Sequence, residues 1–453
     1  MPIWYWDRGL IEIEALEFIQ QYLDDRNLVQ KVFDPYANDL DTYQARELSY
    51  FLDYLDAQVF KLLIARGLVL LVPASSIVAL VLTTIVFLRS ARYRVLPLLT
   101  RLLLLLVYYT NYIHLVTVGM FYRSSKPMLA PLLMAATFCV LRLVREDATE
   151  EGELGRRAPL AIFVLFCAMS LLDRQGFFYS MLGLTVLVCH AMLAPGRRDV
   201  AIAAGSAVVA MTAYNVAIAP AIVHLVNGYR PSLEFQRIPV NDLATEPSYY
   251  TRAGELLVET SARLLGDVPP AVALAALVVL AAAAIWKWRT ASDSAVGSAQ
   301  RVAVSRRWTG RSAVAVWALI GLAHIVMYAV MIARFPPLWE HYDHRLWYYP
   351  LPFQAFLLTV LVVGLSFVTS GWTRTQIAAL NVVLAVVVVA NVFRWDDNVR
   401  LQRQSRWFTT VHTESYLLKR SLDDGRAYST HAGYLPFYWY CLKLSPPLRA
   451  RAE

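Results

Sequence analysis

Apolar runs alternate with polar or charged segments along the chain, at 67–88, 96–121, 128–144, 158–172, 177–194, 200–226, 269–286, 313–334, 351–371 and 376–393. A helix crossing a hydrocarbon layer about 30 Å thick needs roughly 20 mostly apolar residues, so these ten runs read as membrane spans. The fourth is short and ends at Asp173-Arg174-Gln175-Gly176, which leaves a re-entrant pair over 158–194 as the other reading. A different pattern precedes the first span. Leu48, Phe51, Leu52, Leu55 and Val59 recur at helical spacing, opposite Asp53 and Asp56, as in an amphipathic helix lying along a bilayer surface. The expected fold is an all-α polytopic membrane protein of about ten transmembrane helices, with extracytoplasmic amphipathic helices and loops.

Composition agrees. Of 453 residues, 58% are hydrophobic and 17% charged, whereas soluble proteins lie near half and a quarter. That excludes a water-soluble globule, a disordered chain and a secreted disulfide scaffold. The 42 Lys+Arg against 34 Asp+Glu leave a net +8, but the basic residues sit between apolar runs, where they orient a membrane protein rather than meet nucleic acid. Alternate loops hold Arg89, Arg92 and Arg94; Arg142, Arg145, Arg156 and Arg157; Arg197 and Arg198; the basic stretch 287–312; and Arg374. The intervening loops hold fewer, Arg123 and Lys126, Arg174, and Arg345. Positive charge stays cytoplasmic, so both termini and the long 227–268 loop face the other side of the cell (inner) membrane.

Three regions follow: an extracytoplasmic acidic loop with its interfacial helix over 1–65, a transmembrane domain over 66–394, and an extracytoplasmic tail over 395–453. Residues 1–20 lack the basic and apolar regions of a signal peptide. The first 65 residues must therefore cross N-out, or follow a further helix upstream, and the second is favoured. Cys139, Cys167 and Cys189 lie inside apolar runs and Cys441 stands near the C-terminus; no spacing suits a structural bridge or zinc.

The unusual chemistry falls on the non-cytoplasmic side. Asp34-Pro35-Tyr36-Ala37-Asn38-Asp39-Leu40-Asp41 crowds three acids into eight residues, which raise one another's pKa unless a cation or proton intervenes. Its plain alternative is a solvated acidic turn. Asp173-Arg174 sits between two apolar runs, either as a local ion pair capping a helix hairpin or lining a cavity. Arg334, Glu340, His341, Asp343, His344 and Arg345 lie among aromatics that include Trp347, Tyr348 and Tyr349. Arginine offers a planar fork suited to phosphate, and His341, Asp343 and His344 are a nonspecific metal option; an interfacial belt accounts for the aromatics alone. The 227–268 loop exceeds a plain connection and is expected to be ordered or functional. Tyr108, Tyr109, Asn111, Tyr112, His114 and His324 are expected to hydrogen-bond between helices, or to line a hydrophilic cavity. No P-loop or dinucleotide fingerprint occurs.

These segments resemble the GT-C superfamily of integral-membrane glycosyltransferases, which includes oligosaccharyltransferase catalytic subunits and protein O-mannosyltransferases. Asp34-Pro35-Tyr36 is similar to the acid-Pro-aromatic start of the oligosaccharyltransferase first loop. Asp39-Leu40-Asp41-Thr42-Tyr43-Gln44-Ala45-Arg46 is similar to the acid-then-Arg pattern of the wider group. Arg345-Leu346-Trp347-Tyr348-Tyr349-Pro350 is similar to its late-loop Arg/Tyr/Pro stretch. A WWD-type acceptor motif is absent, which argues against peptide N-glycosylation. The resemblance implies a GT-C-like fold and a hexosyl- or pentosyltransferase that uses a polyprenyl-phosphate-linked sugar on the non-cytoplasmic face. The acceptor would be a glycan, lipid or protein hydroxyl, and membrane lipids would be further partners. Asp41, or Asp39, would act as general base. Arg345, Arg334 and Tyr348 would hold the donor phosphate. Asp34, Arg46, Asp173, Arg174, His341 and His344 would line the site or the acceptor, and Asp34 or Asp343 would be candidates for a divalent cation (Mg or Mn). The alternative from another class is a transporter or flippase for a lipid-linked or small anionic substrate; a non-catalytic assembly subunit is a third reading.

Overall fold

The computed structural model describes residues 22, 26–33, 44–64, 66, 72–91, 96–119, 124–145, 153–193, 198–232, 238–294, 310–334 and 349–403. The acidic segment 34–43, the segment 335–348 and the C-terminal residues 404–453 lie outside them. Among the described residues every regular element is helical. In chain order these are α1 (Leu28–Phe33), α2 (Glu47–Ile64), α3 (Ala74–Ala91), α4 (Leu98–Thr110), α5 (Tyr112–Gly119), α6 (Ser125–Arg145), α7 (Glu153–Leu172) and α8 (Arg174–Leu193). There follow α9 (Arg198–Ala213), a π-helical turn (Tyr214–Ile218), α10 (Ala219–Asn227), α11 (Val240–Thr245), α12 (Ser248–Leu264), α13 (Pro270–Ser294), α14 (Gly310–Arg334), α15 (Leu351–Val368) and α16 (Arg374–Arg403).

The described residues of the ten apolar runs are mostly helical. By length and composition, five of the described helical segments are able to cross a membrane: Ser125–Val144, Arg174–Met192, Arg198–Asn227, Trp317–Arg334 and Arg374–Arg394. A sixth is possible if α4 and α5, bent by 64°, form one span; four further apolar helices are shorter. The bend has a local cause. Asn111 donates to the Tyr108 carbonyl and accepts from the His114 amide, so it ends one helix and caps the next. Asn111 therefore bonds within its own chain segment, where a bond to another helix is expected. His114 stacks edge-on against Tyr108, with ring centroids 4.5 Å apart.

Local rules fix other helix starts. At α1, Asn27 and Gln30 exchange backbone and side-chain hydrogen bonds at 2.9 and 3.0 Å, a reciprocal cap. Thr373 and Gln376 do the same before α16. Packing then places α6 centrally, against α3, α7, α8 and α15. One buried core joins α3 to α6 with α15, and a second joins α6 to α9. The outward faces carry exposed apolar residues such as Leu99, Val209, Val279, Val382 and Val386, the surface a helix presents to hydrocarbon rather than water.

The α7–α8 hairpin depends on one small residue. A Cβ on Gly176 would sit 1.9 Å from the Met169 carbonyl oxygen, which is backbone and has little freedom to move away. Gly176→Ala is expected to lower the thermal unfolding temperature in detergent and to cost at least about 1–3 kcal/mol, as overpacking does. An unchanged transition would contradict this close approach.

Candidate functional site

The helix predicted over 48–59 forms as α2, with a division of faces that gives it a clear role. Phe51, Leu55 and Leu62 are exposed, whereas Asp53 and Asp56 are 2% and 1% exposed. The apolar stripe turns to the surroundings and the carboxylates turn into the protein. Asp56 accepts from the Ser75 amide at 2.8 Å, the Ser75 hydroxyl at 2.5 Å and the Ser124 hydroxyl at 2.6 Å. Burial raises its pKa above the usual carboxylate range, and the two serines pull it part of the way back. At the start of α2, Glu47 is buried and lies beside Tyr214 of the π-helical turn. π turns recur at functional sites because they redirect side chains without ending the helix.

The acidic segment 34–43 leaves and re-enters the described structure at one patch. Phe33 before it and Ala45 after it both pack on Ala219 and Val223 of α10. Gln30 donates to the Val226 carbonyl at 3.4 Å, which adds a second tie between α1 and α10. Arg46 follows directly, with its guanidinium 5.0 Å from the Tyr50 ring centre.

Asp173 occupies the turn between α7 and α8. It caps α8 by accepting from the Gln175 amide at 2.9 Å, as the hairpin reading expects. Its ion-pair partner is Lys126 at the start of α6, at 2.7 Å, where one of the two sequence readings pairs it with Arg174. Burial alone would raise the Asp173 pKa, but Lys126 close by, with Arg46 adding a smaller part, holds it below the usual range. Lys126 also donates to the Gln175 side chain at 2.8 Å and lies 4.9 Å from the Tyr349 ring centre. Gln175 in turn donates to the Tyr349 carbonyl at 2.9 Å, and the Tyr328 hydroxyl donates to the same carbonyl at 3.2 Å. Tyr349 is the first described residue after the segment 335–348.

Of the residues proposed from the sequence, Arg46 and Asp173 therefore come to one corner of the bundle. Arg174 opens α8 beside them. Arg334 ends α14, about 9 Å along the axis beyond Tyr328. Asp34, Asp39, Asp41, His341, Asp343, His344, Arg345 and Tyr348 lie outside the described residues. Among the described residues no group of three or more His, Cys, Asp and Glu side chains is placed to hold a metal ion. Within the long 227–268 loop, the described helices α11 and α12 pack on the end of α14 through Leu243, Tyr249, Ala253, Tyr328 and Ile332.

Lys126, Gln175, Ser75, Ser124 and Glu47 were not legible as site residues. The one signal was Lys126, a cation in a loop where the charge bias calls for few. No protein family, curated protein or solved structure matches the chain.

Proposed function

We propose that the protein is a GT-C-like membrane glycosyltransferase of about ten spans, with its active site on the non-cytoplasmic face of the cell membrane. It moves a sugar from a polyprenyl-phosphate carrier to an acceptor hydroxyl. The acceptor oxygen bonds to the anomeric carbon as the bond from that carbon to the phosphate oxygen breaks. The phosphate leaves with the electron pair, and the acceptor proton passes to Asp41, with Asp39 as the second candidate base. Arg345, Tyr348 and Arg334 stabilise the charge developing on the phosphate.

The supporting observation is the meeting of two roots. Arg46 follows the acidic segment and contributes to the field at Asp173; Tyr349 follows the arginine-bearing segment and is held from the same corner through Gln175 and Lys126. Chain length bounds the rest. Asp41 is five residues from Arg46 and Arg345 four from Tyr349, reaches of at most about 18 Å and 14 Å. The described residues that follow these two segments, far apart in sequence, thus lie at one corner of the bundle, which supports the reading.

The test is a transfer assay on the full chain in liposomes, with a panel of radiolabelled polyprenyl-phosphate sugars and candidate hydroxyl acceptors. Transfer of label from at least one donor to an acceptor is expected. Carrier-linked label that crosses the bilayer untransferred would favour the transporter reading instead.

A further inference from the structure

We propose that the cleft between the α12–α13 turn and the end of α16 binds the headgroup of a zwitterionic phospholipid. Arg394 and Arg263 hold its phosphate, and Asp267 holds its primary ammonium. The inference does not depend on the function proposed above, which uses none of these residues.

The cleft is lined by Tyr112 at the start of α5, Arg263 near the end of α12, Asp267 in the turn, and Asn391 and Arg394 on α16. It holds about 230 Å³ of empty space, part of it open to solvent. Asn391 is buried and donates to the Val107 carbonyl at 3.4 Å and the Thr110 hydroxyl at 3.3 Å, which ties α16 to α4 just before the bend. Among the described residues Asp267 is the one non-glycine with positive φ, at 58°, a conformation that Asp tolerates better than most side chains. Arg394 Nη1 donates to the Asp267 carbonyl at 2.8 Å and to its carboxylate at 3.1 Å. Among the described residues, Nε and Nη2 of Arg394 and the second carboxylate oxygen of Asp267 make no hydrogen bond. Arg263 is braced by Glu259 at 2.7 Å and lies 5.8 Å from the Tyr112 ring centre.

Two guanidiniums and one carboxylate on one wall suit a ligand that carries both signs. Guanidinium forks match phosphate oxygens, and a carboxylate oxygen accepts from a primary ammonium. One aromatic ring falls short of the cage that a quaternary ammonium takes. Position points to a lipid. Arg394 closes a segment able to cross a membrane, and Val386, Val389 and Phe393 on the turns before it are exposed. They offer acyl chains an apolar surface next to the charges, as in headgroup pockets between membrane helices.

The full chain in detergent is incubated with equal amounts of phosphatidylethanolamine, phosphatidylcholine and phosphatidylglycerol of matched acyl chains. Retained lipid is counted by native mass spectrometry. Retention of phosphatidylethanolamine about tenfold above the other two is expected, the worth of one hydrogen bond to a charged group. Asp267→Asn keeps the side-chain shape and should remove the preference over phosphatidylglycerol. Arg394→Gln should bring phosphatidylethanolamine down to the phosphatidylcholine level. Both side chains are partly exposed, so neither change is expected to unfold the protein. Arg374→Gln, at the other end of α16, should leave the preference as it is. Equal retention of the three lipids by the wild type, or an unchanged preference in Arg394→Gln, would overturn the headgroup site. Displacement by millimolar glycerophosphoethanolamine, which has no acyl chains, would overturn a lipid as the occupant.

Discussion

Asp41→Asn is expected to abolish sugar transfer while leaving expression and donor binding intact. In the proposed reaction the carboxylate would accept the acceptor proton only as the new bond forms, so its loss should fall on kcat and leave binding of the carrier unchanged. A positioned general base contributes about 10²–10⁴-fold, and asparagine keeps the shape without the basicity. Asp39→Asn is expected to have the smaller effect, because Asp41 lies nearer Arg46 and the start of α2. The pair of variants separates the two carboxylates: single-turnover transfer rates with saturating donor should rank wild type, Asp39→Asn, Asp41→Asn. Normal turnover in Asp41→Asn would remove that residue from the mechanism. Equal loss in both would instead mean that neither acts alone.

The second large effect concerns stability. Removing one partner of a buried ion pair leaves an uncompensated charge, at a cost of about 3–5 kcal/mol. Lys126→Ala is thus expected to lower the unfolding temperature in detergent sharply at neutral pH. Replacing both partners together with Lys126→Met and Asp173→Leu should recover much of the loss, since an apolar pair does not bear the desolvation cost. A double-mutant cycle reads the coupling directly.

The pH dependence has a defined sign. The folded-state pKa of Asp173 is lowered, so its contribution is complete above the unfolded value of about 3.9 and is lost as pH falls through the lower folded value. The wild type should lose stability in that acid window, and the doubly substituted protein should lose less. Asp56 acts in the opposite direction. Its folded pKa is raised, so it subtracts stability above that value, and the penalty fades as pH falls towards the unfolded value. The two carboxylates therefore separate the acid limb into a gain followed by a loss.

Periodicity and length carried the helices, because an apolar run of span length has few other structures open to it. They did not carry what covers each face. The spacing of Asp53 and Asp56 put them opposite the apolar stripe of α2, but only packing against Ser75 and Ser124 turns that side inward. Lys126 looked like a topological charge because its partner Asp173 is distant in the chain. Asn111 was legible as a polar interruption, yet its bend follows from hydrogen bonds to its own neighbours that composition does not report. The acid and arginine segments were recognised by residue type, and their tethering to one corner comes from α10, the α7–α8 turn and Tyr349, none of which bears a motif.

The most direct test joins the two segments physically. With the native cysteines replaced, Asp41→Cys and Arg345→Cys are introduced together and treated with a thiol cross-linker no longer than a hexose phosphate, alongside a control pair at Asp267 and Arg394, which form a 3.1 Å ion pair. Intramolecular cross-linking of both pairs is predicted. Cross-linking of the control alone would contradict a shared pocket and, with it, glycosyl transfer at this corner.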